Sequence, residues 1–73
     1  MLMYRCKEWS RLPGARVEVR RGGRTMRVGM VEDAMADDSA VWLAADGVEG
    51  RTLIEAAAYY EIWIEPKVFY SLL

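Results

Sequence analysis

Pro13-Gly14-Ala15-Arg16-Val17-Glu18-Val19-Arg20-Arg21-Gly22-Gly23-Arg24-Thr25-Met26-Arg27-Val28-Gly29-Met30-Val31 is the stretch that decides how this chain folds. Pro13-Gly14 ends whatever precedes it and starts a turn. From about Ala15 to Arg21 the valines alternate with charged residues. Val17 and Val19 fall on one face and Arg16, Glu18 and Arg20 on the other, the pattern of a strand buried on one side. Gly22-Gly23 supplies a turn that tolerates positive φ. Thr25 to Val31 then resumes an extended run in which Met26, Val28 and Met30 share a face. Gly29 breaks that parity, because a glycine inside a small sheet marks a bend or bulge after which Val31, instead of Met30, can turn inward.

The same reading extends toward the C-terminus. Glu32 to Ser39 mixes acids with small residues and reads as a solvated loop. Val41 and Leu43 point inward with Trp42 and Ala44 outward, and Asp46-Gly47 signals a type I′ hairpin. Arg51 to Glu55 returns as a fourth strand with Leu53 in the core. Ala56-Ala57-Ala58 favours a single helical turn. Tyr60 to Glu65 places Ile62 and Ile64 on one face and Glu61, Trp63 and Glu65 on the other, and Pro66 ends the strand. Short strands recurring every ~8–12 residues predict an all-β fold, with five strands, a one-turn helix before the last, and a core of Val17, Val19, Val28, Val41, Leu43, Leu53, Ile62 and Ile64. Before it, residues 1–11 form an N-terminal segment in which Leu2, Cys6 and Trp9 sit at helical spacing; after it, residues 66–73 form an apolar tail.

Over residues 12–65 this pattern resembles the SH3-like small barrels of the KOW and Tudor kind. Pro-Gly-Ala-Arg-Val-Glu-Val followed by Arg-Val-Gly-Met-Val is similar to the opening of those barrels, where a Gly-x-Val, here Gly29 and Val31, sits in the second strand. The resemblance implies a five-stranded SH3-like small barrel. KOW modules are typically basic, whereas this chain carries a formal charge of −1.

With 73 residues the chain makes one domain, of a size that buries only about 60% of its unfolded surface. Hydrophobic residues at 53% and charged residues at 29% give a globular composition. No apolar run approaches the ~20 residues of a membrane span, and Met1-Leu2-Met3-Tyr4 meets Arg5 too soon for a signal-peptide core, so a cytoplasmic protein is expected. With one cysteine, Cys6, and no histidine, neither an internal disulfide nor a Cys/His zinc set is available, and no cofactor or metal is expected. The charge is unevenly spread. Residues 5–27 hold eight Arg and Lys against two acids, a net of +6, and residues 28–73 hold two against nine, a net of −7.

Catalysis has little to stand on: no histidine serves as base, Cys6 has no base partner, and Glu32-Asp33 with Asp37-Asp38 lack the oxygen-ligand spacing of a calcium loop. Two binding readings remain. Trp42 and Trp63 fall on the outward parity of their strands; with Tyr59, Tyr60, Phe69 and Tyr70 they predict a protein-binding surface, of an adaptor module that self-associates as a homodimer. Alternatively the terminal segments fold back over them as a minor core. Arg16, Arg20, Arg21, Arg24 and Arg27 surround the first hairpin, and guanidinium forks match phosphate geometry, so a nucleic-acid-binding barrel is the alternative. Against that stands a simple solvated turn whose arginines pair with acids.

Overall fold

The computed structural model describes residues 2–73. Strands β1 (Tyr4–Cys6), β2 (Arg16–Arg21), β3 (Arg24–Ala34), β4 (Ala40–Leu43), β5 (Thr52–Glu55) and β6 (Glu61–Ile64) precede a short helix α1 (Pro66–Ser71), and single 3-10 turns occupy Trp9–Arg11 and Ala56–Ala58. All the strand pairs are antiparallel and make one six-stranded sheet of order β1-β6-β2-β3-β4-β5. The all-β architecture and the one-turn helix ahead of the last strand agree with the sequence reading. Among the described residues the strand count is six instead of five, and no ladder joins β1 to β5, so the sheet does not close.

The extra strand lies in the N-terminal segment, whose Leu2, Cys6 and Trp9 sit at helical spacing. Tyr4 pairs with Ile64 and Cys6 with Ile62. An isolated helix of this length is marginal, whereas a strand here gains a ladder and buries alternate side chains. Cys6 and Trp9 do reach the interior, but Leu2 is exposed. The indole of Trp9 donates to the Cys6 carbonyl at 2.9 Å, and its 3-10 turn packs on β3 and β4.

The core is formed by Cys6, Trp9, Leu12, Val17, Val19, Val31, Val41, Leu43, Ile54, Ile62 and Ile64. Two expected members are missing. Leu53 pairs outward with Trp42 while Ile54 opposite Val41 takes the interior place. Val28 faces Glu18 on the outside. Val31 is buried and Met30 exposed, but Gly29 makes no break: the register with β2 is continuous from Met30 to Arg27, and the irregularities fall between Val19 and Arg20 and between Val31 and Asp33.

Gly22 and Gly23 adopt φ of 59° and 77° between the paired Arg21 and Arg24, a two-residue turn of the I′ kind. The later turn differs from expectation. Asp46 bridges Glu49 and only Gly47 has positive φ, whereas type I′ needs it at both central positions. The apolar tail forms α1, whose Val68 and Phe69, together with Leu72, pack against the core, with Phe69 stacked on Tyr4 at 4.2 Å.

Candidate functional site

In β3 the usual distribution of residues is inverted. Arg27 lies opposite Val19 and Gly29 opposite Val17, so the charged side chain points to the interior side of the sheet. Its guanidinium donates to the carbonyls of Ala44 at 2.7 Å and Gly50 at 2.8 Å and to the Thr52 hydroxyl at 2.6 Å. Only its buried Nε finds no partner. Arg27 thereby ties β3 to the β4–β5 connection and is withdrawn from the arginine surface expected around the first hairpin. The outward positions fall to Met26, Val28 and Met30, which are 54%, 40% and 43% exposed. These three form an apolar row on the solvent side. Their alternation is visible in the sequence, but the face of Val28 and Met30 is fixed by their register opposite Glu18 and Arg16, and Met26 lies at the bulge between the Val19–Arg27 and Arg20–Thr25 pairs.

Beside this row, β2 presents Arg16, Glu18 and Arg20. Glu18 lies opposite Val28 on one side and Trp63 on the other. Arg20 pairs with Glu18 and lies over the Trp63 ring at 4.3 Å, and the Thr25 hydroxyl donates to Glu18 at 3.0 Å. The hydrogen bonds from Arg20, with that from Thr25, hold the Glu18 carboxyl below its ordinary pKa despite some desolvation. Trp63 donates to Glu61 at 2.9 Å, and Glu61 also receives Arg5 at 3.8 Å. A matching arrangement occupies the other half of the sheet, where Arg51 pairs with Glu32 and lies 3.9 Å over Trp42. Both tryptophans point outward as read from parity, and both are half-buried under an arginine held by a glutamate.

The remaining aromatic residues are dispersed. Tyr60 lies under Arg21 at 5.0 Å. Tyr59, in a left-handed conformation with φ of 68°, is 82% exposed. Phe69 is packed against Tyr4 and Tyr70 stands exposed beside it. Trp42 in β4 and Trp63 in β6 are separated in the sheet by β2 and β3. Among the described residues Arg16, Arg21 and Arg24 make no ion pair.

Next to Arg16 and Met30 opens a cleft of 510 Å³ whose rim carries Arg11, Arg16, Lys67 and Glu65, with Val68 and Leu72 among its apolar lining. A second hollow shares Arg16 and Glu65 and runs along Val28. Lys67 and the cleft escape sequence reading because α1 must first fold against the sheet. Among the described residues no three carboxylates or thiols meet in a metal-binding group, and no helix is long and apolar enough to cross a membrane. Burial pushes the Cys6 thiol up in pKa, which disfavours the reactive thiolate.

Comparison with known proteins finds no family model, no curated relative and no solved structure that matches this chain.

Proposed function

We propose that this chain is a small cytoplasmic protein-interaction module and not an enzyme, docking its partner on the outer face of the β2–β3 hairpin. The observation that carries the reading is the exposed row Met26, Val28 and Met30 on a strand whose inward place is given to Arg27. Apolar side chains gain free energy by leaving water, and methionine fits irregular partner surfaces and is enriched at interfaces. Trp63 and Arg20 extend the surface with a rigid, amphipathic edge. An SH3-like small barrel is the architecture we favour: the order β6-β2-β3-β4-β5, with the Ala56–Ala58 turn ahead of β6, supports it, and β1 adds at the β6 margin.

Nucleic-acid binding is the second reading, favoured by the unpaired Arg16, Arg21 and Arg24. It is weakened because Arg27 serves the β4–β5 connection and Arg20 is engaged by Glu18. A photoreactive residue placed at Val28, with Ala57 as control, separates the two in cells that express the chain. A discrete nuclease-resistant adduct from position 28 alone, larger than the chain by the mass of a second polypeptide, supports the protein-docking reading. A nuclease-sensitive adduct transfers support to the second, and no adduct from position 28 overturns the first.

A further inference from the structure

We infer that the cleft beside Arg16 receives the acidic end of β3 and the turn that follows it, residues 33–37, of a second copy of this chain, with Met35 inserted between the cations. The inference rests on the protein-docking reading above and names the partner.

The turn is a projecting, prefolded element. The Met35 amide donates to the Ala40 carbonyl at 2.9 Å and the Asp38 amide to the Met35 carbonyl at 3.1 Å. Asp38 accepts from the Ser10 amide at 2.7 Å and Asp37 from the Ser39 amide at 3.0 Å. Hydrogen bonding from the Ser39 side chain and then its amide lowers the pKa of Asp37, and from the Ser10 amide and then its side chain that of Asp38, so both carboxyls are charged near neutrality. A turn already fixed loses little conformational freedom on docking. Met35 is nonetheless 49% exposed, and Asp33, Ala36 and Asp37 are exposed around it.

The cleft is complementary in charge and in lining. Arg16 and Lys67 stand at its rim without an ion pair, Glu65 is the one acid there, and Met30, Val68 and Leu72 offer an apolar lining. Guanidinium and ammonium at the rim suit carboxylates flanking an inserted thioether. No residue of the turn lines the cleft of its own molecule, so a turn seated there is that of another copy. The two features are close neighbours, since Ser10 holds Asp38 while the adjacent Arg11 lines the cleft. Two copies can therefore exchange turns about a two-fold axis and close as a dimer.

Charge exchange tests this. At low ionic strength the wild-type chain is expected at twice the 8.4 kDa of one chain, read by sedimentation equilibrium. Arg16→Glu alone and Asp37→Arg alone each place like charges in both contacts and are expected to be monomeric. Mixing the two variants restores opposite charges in both contacts and is expected to return the dimer. Asp33→Arg stands in for Asp37→Arg if circular dichroism shows the latter unfolded. A monomeric wild type, a dimer indifferent to these substitutions, or a mixture that stays monomeric would overturn the inference. A monomeric wild type that still gives a protein adduct from position 28 leaves the docking function intact and removes only the second copy as partner. No adduct from position 28 removes the docking reading itself.

Discussion

β2 and β3 are paired side by side, yet they bury opposite kinds of residue. β2 places Val17 and Val19 inside and Arg16, Glu18 and Arg20 outside; β3 places Arg27 inside and Met26, Val28 and Met30 outside. The contrast teaches that the face a residue occupies is set by the ladder, since the residue opposite an inward valine is itself inward whatever its polarity. Arg27 is tolerated because its head meets carbonyl and hydroxyl oxygens of the β4–β5 connection instead of apolar side chains. Glycine is not what makes the room at position 29: a Cβ there would meet Arg27 Nε at 3.6 Å and Leu43 Cδ1 at 3.9 Å, ordinary van der Waals contact.

The comparison breaks most visibly at the core. Ile62, fully buried opposite Val19, is expected to lose about 2 to 5 kcal/mol of stability on change to Ala. Met30→Ala, on the outward row, is expected to change stability by about 0.5 kcal/mol or less. Urea denaturation of both variants checks this, and equal losses would mean that the outward row is part of the core. Next in size is Arg27→Ala, which leaves the Ala44 carbonyl without its side-chain donor and the Gly50 carbonyl with the Thr52 hydroxyl alone, and is expected to cost about 1 to 3 kcal/mol. Arg27→Lys should recover only part of that, because a single ammonium lacks the planar fork that reaches all three acceptors. Hydrogen exchange should quicken across residues 44–52 in both variants, and unchanged exchange there would deny Arg27 its tying role.

How far this arrangement was legible in the sequence differs between the same two strands. β2 alternates valine with charge, so both its faces could be read directly. β3 offers Met26, Val28 and Met30 against Arg27, Gly29 and Val31, and hydropathy alone favours burying the wrong set; the ladder instead sets Arg27 and Gly29 opposite Val19 and Val17, with Val31 following on the same face. Leu53-Ile54 posed the same difficulty, two adjacent aliphatics with only the register opposite Trp42 and Val41 to choose between them. The N-terminal strand was hidden because Leu2, Cys6 and Trp9 fit helical spacing, while its reason to be extended lies in a partner strand nearly sixty residues away. The outward Trp42 and Trp63 were legible from parity. The arginines lying over them were not, because Arg20 and Arg51 reach their rings from neighbouring strand positions.

The turn joining the two strands supplies a smaller test. Gly22→Ala puts a Cβ into the left-handed conformation the turn requires, at an expected cost of about 1 kcal/mol. The added carbon meets nothing within 4 Å, so the loss is a backbone effect. It should weaken the Arg21 to Arg24 end of the ladder before the Arg16 to Met30 end. Exchange rates along the hairpin distinguish this from a uniform loss.

The smallest expected effect is one that only β2 should show. Glu18 has its pKa lowered in the folded state, first by the hydrogen bond from Arg20. A carboxyl with a depressed folded pKa contributes stability that is fully present above its unfolded pKa and lost as the pH falls through the folded value. Acidification below the ordinary carboxylate range should therefore release Arg20 from Glu18 and let it drift from the Trp63 ring, while Met26, Val28 and Met30 carry no proton to gain. Followed by NMR, the Trp63 indole signal should move with a midpoint below that of a free glutamate, and the Met26 and Met30 methyl signals should stay in place until the chain unfolds. Because the indole also donates to the Glu61 carboxylate, the comparison is made with Glu61→Gln in both chains, and there adding Glu18→Gln should remove the indole midpoint. If the methyl signals of β3 titrate along with the indole in the wild type, the two outward rows are one coupled surface, and the distinction between a charged β2 face and an apolar β3 face does not hold in solution.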